Sequence, residues 1–329
     1  MKVYFLNRKK TGGHWMKKLL SFFLMVILVP LTLAHCSSDK SLQLEASKQN
    51  ESLIQIVSTV FPTYDFAKWI AGSKANCSLL INPGSDVHSY SPSPEDVSTI
   101  QNADLFIYIG NKDDEWVYTV IGSMDLQARK IIKITDYVTP IVQETTISEG
   151  DKTKTDEHMI SFPTNAIKLI DVVAQNLGEI DPDNATFYKK NADAYKVSIL
   201  KVDKKIQQII AKHASQLLVL GDYFPLRYFV DQYQLAYRTA DCEKKSGEKG
   251  TGQGTLAGLM NIIRDNRTQY VLYVTLSNPN IIKEVNENTD AEMICLSSCH
   301  NFTKEDFVSG TTYLSIMEQN VSILQKALR

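Results

Sequence analysis

Apolar and polar positions follow two rhythms along this chain. Short apolar runs bounded by polar residues predict buried strands, and stretches with apolar residues three and four apart predict amphipathic helices. Residues 53–58 (LIQIVS), 77–81, 104–109 (DLFIYI) and 130–135 read as strands. Residues 62–71 and 94–102 read as helices, with Pro62 and Pro94 suited to a first helical turn. Gly110 and a loop to Trp116 follow the third strand. Residues 141–157 are polar and without period, and read as a surface loop. From Pro163, the residues Ala166, Leu169, Ile170, Val173 and Leu177 share one helical face, until Asp181-Pro182-Asp183 breaks it.

The longest pattern runs over residues 184–213, with Phe187, Tyr188, Ala192, Tyr195, Ile199, Val202, Ile206, Ile209 and Ile210 apolar. A helix of that length spans ~45 Å and reads as a strut between two halves. The second half repeats the grammar: strands at 217–220, 270–276 and 293–296, helices at 225–233, 255–266, 280–287 and 311–328. A glycine-rich loop covers 240–254 and another loop 297–307. Strands alternating with helices imply parallel sheets with crossover helices. The expected fold is α/β, with two lobes on parallel-rich sheets joined by one long rigid helix. Ligands of such folds sit where loops leave the carboxyl ends of the strands, here in the cleft between lobes.

The N-terminus follows a different pattern. Lys17 and Lys18 precede an apolar run over 19–34, about the length of a signal-peptide core and short for a spanning helix. Cys36 comes next, then a polar stretch to Glu51. The expected organisation is a signal peptide at 1–35, a flexible tether at 36–52, an N-terminal lobe at 53–182, a linking helix at 183–213 and a C-terminal lobe at 214–329. Cys36 is the candidate lipidation site of a bacterial lipoprotein, its thiol carrying a diacylglycerol group; simple cleavage or an uncleaved anchor is the alternative. His35 stands where a small residue usually precedes that cysteine.

Composition narrows the class. The 329 residues are 43% hydrophobic and 22% charged, which is globular and excludes disorder. The net charge of -2 falls to about -8 without residues 1–35, so nucleic-acid binding has no electrostatic basis. Five cysteines are too few for a disulfide-built scaffold.

The candidate chemistry lies in the histidines. His14 and His35 belong to the targeting segment. His88, His158 and His300 fall in loops of the two halves, whereas His213 ends the long helix, where a basic residue complements the helix dipole. Imidazoles from separate loops can hold a transition metal, and Asp222, just after the strand at 217–220, is the candidate fourth ligand. Asp222 alone reads equally as a helix N-cap, and a lone loop histidine as an ordinary surface residue.

The segment Pro83-Gly84-Ser85-Asp86-Val87-His88-Ser89-Tyr90-Ser91-Pro92-Ser93-Pro94 resembles the PGxDxHxYxPxP segment of the zinc/manganese ABC-transporter substrate-binding proteins. The similarity extends to IVSTVFPTYDFAKWIAG, to ADLFIYIG with Trp116, to Asp156-Glu157-His158, and to EIDPDNATFYKKNADAY, GDYFPLRYFVDQY and SSCHNFTKEDFVSGTTYLSIMEQN. It covers residues 53–329 in order. The resemblance implies one divalent metal between two lobes, with His88 and His158 as ligands from the first. It implies Asp222 as a further ligand, and His300 where the family usually has an Asp. Met159 stands in place of a frequent aromatic, Thr275 in place of a frequent acid, and the 141–157 loop lacks the His-rich tract of some zinc members.

Three imidazoles and a carboxylate suit Zn²⁺ in tetrahedral geometry, with Mn²⁺ the alternative. Four protein ligands close the site, which favours carriage over hydrolysis. The leading expectation is therefore a monomeric, lipid-anchored extracytoplasmic protein. It captures the cation and delivers it to a membrane permease with a cytoplasmic ATPase. The alternatives are a manganese-binding homologue, a metal-binding surface adhesin, and an extracytoplasmic zinc hydrolase using Glu157 or Glu243 as general base. No GxSxG nucleophile motif is present. The remaining cysteines are Cys77, Cys242, Cys295 and Cys299, of which Cys242 and Cys299 are candidate disulfide partners; Cys299 is also a candidate thiolate ligand.

Overall fold

The computed structural model describes residues 53–328, except 86–89, 125–128, 139–142, 146–152, 214–215, 222–224, 240–251, 278 and 301. The chain divides into two units, Met1–Ser52 and Leu53–Arg329. Cys36 belongs to the first and lies outside the described residues, as do His88, Asp222, Cys242 and Glu243.

Two four-stranded parallel sheets organise the second unit. The first holds β1 (Ile54–Ser58), β2 (Ala75–Leu79), β3 (Leu105–Tyr108) and β4 (Lys130–Lys133), in the order β2-β1-β3-β4. The second holds β7 (Leu217–Leu220), β8 (Ala236–Thr239), β9 (Tyr270–Tyr273) and β10 (Glu292–Cys295), in the order β10-β9-β7-β8. Side chains along a strand point alternately to opposite faces. In β3, Leu105 and Ile107 enter the main core while Phe106 and Tyr108 enter a separate outer core. In β7, Leu218 and Leu220 join the same main core while Val219 joins the outer core of the second lobe. Each sheet is therefore covered on both faces, and the continuous apolar runs in the sequence follow from that.

Helices supply the covers. α1 (Phe61–Ala71), α2 (Pro94–Gln101), α3 (Glu115–Ile121) and α4 (Pro163–Ile180) follow in the first lobe. α5 (Ala185–Lys212) is the long helix; 28 residues span ~42 Å. Its buried residues Tyr188, Ala192, Tyr195, Ile199, Val202, Ile206 and Ile210 recur every three or four positions and form one stripe into the main core. The second lobe adds α6 (Arg227–Tyr233), α7 (Gly252–Asp265), α8 (Pro279–Asn288), α9 (Lys304–Val308) and α10 (Tyr313–Ala327). α10 is capped by Thr312, whose hydroxyl accepts from the Ser315 N–H in a reciprocal capping box. Two parallel-sheet lobes and a long helix agree with the expected fold class.

Several elements differ from the sequence reading. The segment 141–157 contains an antiparallel ribbon of β5 (Gln143–Thr145) and β6 (Thr153–Thr155). Residues 252–254, read as loop, already belong to α7, and α9 begins inside the loop at 297–307 and ends one residue beyond it. α3 and β8 are elements that the apolar pattern did not single out. Among the described residues no helix is long and apolar enough to cross a membrane.

One buried carboxylate joins three of these elements. Asp65 of α1 accepts from Tyr195 Oη of α5 at 2.7 Å and from the backbone N–H of Tyr313, the first residue of α10, at 3.0 Å. An anion at a helix N-terminus is favoured by the helix dipole. Burial pushes the Asp65 carboxyl above its ordinary value, against the lowering by these two donors and Lys68.

Candidate metal centre

In the first sheet the strand order reverses direction between β1 and β3, and in the second between β7 and β9. Crevices open at such points, beyond the carboxyl ends of the strands. His158 reaches this region from the segment between β6 and α4, and His300 from the loop after β10. Their rings lie with centroids 4.9 Å apart and planes inclined at 60°. Both are buried, at 3% and 6% exposure. Glu157 completes the cluster: one ligand atom from each of Glu157, His158 and His300 lies within 4.8 Å of the other two. The structure thus brings together two of the four sequence-derived ligand candidates, His158 and His300. His88 and Asp222 lie outside the described residues. His213 is the C-cap of α5 and is not part of the cluster.

Buried neighbours orient the donors. Asp156 Oδ1 lies 2.9 Å from His158 Nδ1 and 2.8 Å from the His158 backbone N–H, with Asp156 fully buried. A carboxylate at Nδ1 fixes a proton there and directs Nε2 to the site, as is general for metal-binding histidines. Asn111, just after β3, donates from Nδ2 to Glu157 Oε2 at 2.8 Å. Tyr313 Oη donates to the Ile160 carbonyl at 3.1 Å, and Asn165 Nδ2 to the Met159 carbonyl at 2.7 Å, so the chain after His158 is tied at two points.

The His300 loop is pinned from the same helix as Ile160. Asn320 of α10 accepts from the Ser297 N–H at 3.0 Å and donates to the Ser297 carbonyl at 2.8 Å. Cys299 turns the chain with φ at 62°, a left-handed conformation uncommon for a residue with a side chain. That turn buries its thiol, whose Sγ lies 3.5 Å from Met317 Sδ, and directs the next residue to the cleft. Cys299 is a free thiol, as are Cys77 and Cys295. Burial pushes the Cys299 thiol well above its ordinary range, which opposes the thiolate needed for metal ligation. Gly84 donates from its N–H to the Phe302 carbonyl at 3.0 Å, and the Phe61 and Phe302 rings stack with centroids 4.0 Å apart. The described end of the 82–85 segment therefore lies against the His300 loop.

In the sequence Glu157 reads only as a candidate general base. Its signal was an acidic residue directly before a loop histidine, but the pattern cannot show that its carboxylate meets a second histidine from the other lobe.

A second carboxylate sits close by. Asp114 accepts from the Gly110 N–H at 2.7 Å and is 7% exposed. Burial, with the charges of Asp113 and Glu157, pushes its carboxyl up to about 6. A carboxyl raised on folding contributes stability below its unfolded pKa near 3.8 and loses it as pH rises through the folded value. Asp114→Asn keeps an acceptor for Gly110 and removes the charge. The expected result is a metal-free protein more stable by about 2 kcal/mol at pH 7 and unchanged at pH 3.5. Denaturant midpoints of both proteins across pH 3.5–7 measure the difference, and a constant offset contradicts it.

Two lobes on parallel sheets, a long connecting helix and a buried donor cluster from both lobes define a two-lobed ligand-binding protein with a candidate metal centre in its cleft. A profile of the family described as "ZnuA: Zinc-uptake complex component A periplasmic" matches residues 56–327, and the chain belongs to that family. It is 28% identical over 314 residues to the zinc-binding lipoprotein AdcA of Streptococcus pneumoniae, covering 92% of this chain and 60% of that protein. The chain thus spans about 60% of the length of that relative. It is 24% identical over 319 residues to the high-affinity zinc uptake system protein ZnuA of Bacillus subtilis, covering 93% and 97% of the two chains. The crystal structure of the Zn(II)-bound ZnuA-like domain of S. pneumoniae AdcA superposes with a TM-score of 0.69 at 26% identity, over 84% of this chain and 99% of that one. The metal-dependent lipoprotein YcdH of B. subtilis has the same fold, with a TM-score of 0.71 at 23% identity, over 84% and 99%.

Proposed function

We propose that this protein is the extracytoplasmic capture component of an ABC-type uptake system and that its cargo is a divalent metal, zinc first and manganese second. The observation that carries this reading is the burial of His158 and His300 side by side in the cleft, from loops on different lobes. A buried imidazole pair flanked by a carboxylate is a donor set that suits a transition-metal cation. Membership of a zinc-uptake family supports the same reading.

His88, His158, Asp222 and His300 are the proposed ligands. Three imidazoles and one carboxylate fit Zn²⁺ at bond lengths of ~2.0–2.2 Å. The second support for His88 is the bond from Gly84 to Phe302, which brings the described start of its segment to the His300 loop. Asp156 is the positioning residue for His158. With four protein ligands around the ion, the protein carries its cargo and performs no chemical step on it. Residues 53–182 and 214–329 act as the two metal-binding lobes and 183–213 as their linking helix. Lipid attached at Cys36 holds the protein to the outer face of the cell membrane, next to its permease and the cytoplasmic ATPase.

Elemental analysis tests the reading. Full-length protein purified without added metal is expected to carry one equivalent of zinc, and metal-stripped protein to take up Zn²⁺ ahead of Mn²⁺ in competition. Protein that emerges without metal and takes up neither ion overturns it.

A further inference from the structure

Glu157 is 4% exposed and offers a carboxylate oxygen to the same cluster as His158 and His300. A tetrahedral ion with bonds of ~2.1 Å spaces its donors ~3.4 Å apart. The Glu157, His158 and His300 donors lie within 4.8 Å of one another, so side-chain movements of about an ångström bring all three onto one cation. Asn111 sets the direction of the carboxylate. It is itself 8% exposed, and its Nδ2 holds Oε2 at 2.8 Å from a loop at the carboxyl end of the first sheet.

The consequence lies in ligand hardness. Imidazole suits zinc, copper, iron and nickel, whereas carboxylate oxygen suits manganese and other oxygen-preferring cations. We propose that Glu157, aimed by Asn111, is itself a ligand of the bound cation and sets how well the site accepts Mn²⁺ relative to Zn²⁺. This rests on the capture function proposed above, because it presumes that the cation sits between His158 and His300. Glu157 is a fifth donor beside the four proposed above, its hard oxygen suiting the higher coordination number of Mn²⁺, and Asn111 is its positioning residue.

The experiment compares metal-stripped full-length wild type, Glu157→Gln, Glu157→Asp and Asn111→Ala, each titrated with Zn²⁺ and Mn²⁺ against a chromophoric chelator. Glu157→Gln is expected to weaken Mn²⁺ about 100-fold and Zn²⁺ about tenfold. Asn111→Ala shifts the ratio the same way by a smaller factor, and Glu157→Asp recovers part of the loss. X-ray absorption on the zinc-loaded proteins is expected to show one fewer light-atom ligand in Glu157→Gln. Circular dichroism checks folding, and Glu157→Asp carries the test should Glu157→Gln not fold. A ratio within twofold of wild type for the folded variants, with unchanged coordination, overturns the role of Glu157. If His158→Ala still abolishes binding in that case, the capture function stands. If His158→Ala also binds normally, the capture function itself fails.

Discussion

His158→Ala is expected to lower zinc affinity by more than about 100-fold while leaving the protein folded. Loss of a group that merely orients a ligand costs about 10- to 100-fold, and loss of the ligand itself costs more. The His158 ring is 3% exposed, within a cluster whose other donors are Glu157 and His300. Truncation leaves a cavity that water can enter but no nitrogen at the cation. His300→Ala is expected to behave alike. Asp156→Asn is expected to cost about tenfold, since Asp156 acts by holding His158 Nδ1 at 2.9 Å. His213→Ala, at the far end of α5, serves as the control and should change affinity by less than about twofold. Affinity of the wild type should also fall on acidification, because a protonated ring cannot ligate. Competition titrations with a chromophoric chelator measure all of these. Equal affinities for His158→Ala and His213→Ala would remove histidine from the site.

Asp65→Ala is expected to destabilise the metal-free protein by about 3 kcal/mol, the largest effect on folding anticipated outside the apolar core. The substitution strands two donors at once, the Tyr195 hydroxyl and the Tyr313 backbone N–H at the start of α10. Both residues are buried, so water replaces the lost acceptor poorly. Asp65→Asn retains an acceptor and removes a charge whose burial pushes its carboxyl above the ordinary value. It is therefore expected to stay within about 1 kcal/mol of wild type at pH 7. Denaturant midpoints decide the matter: equal losses for Ala and Asn would show that the charge, and not the acceptor, is what α1, α5 and α10 require.

Much of the fold was legible because its core elements obey their periods. The stripe on α5 predicted the long helix to within one residue at each end. Runs such as LFIY in β3 announced strands covered on both faces. The pattern failed where local preference and tertiary demand diverge. EWVYTVI in α3 is rich in β-branched and aromatic residues, yet it is helical, with Val117 and Val120 buried. AYRT in β8 is short, pairs only with β7 and has mostly exposed or half-buried side chains, so no apolar run marks it. The polar segment around β5 and β6 gave no period because, among the described residues, its strands pair with each other and join neither main sheet.

The candidate site was legible as a list of donors and not as a place. His158 and His300 belong to loops on different sheets, and only the fold decides that two such loops meet. Spacing along the chain carries no trace of it; resemblance to a known family did. Glu157 escaped because its neighbour in sequence, His158, was itself the feature that drew attention. What gives Glu157 its position is Asn111, 46 residues earlier.

One helix, α10, grips both histidine-bearing loops, through Tyr313 at Ile160 and through Asn320 at Ser297. Donor spacing is therefore inherited from a common mount, and any hinge-like excursion of the lobes must first break a bond to that mount or carry both rings along. Widening the spacing between the two rings therefore has to break one of these few hydrogen bonds to α10.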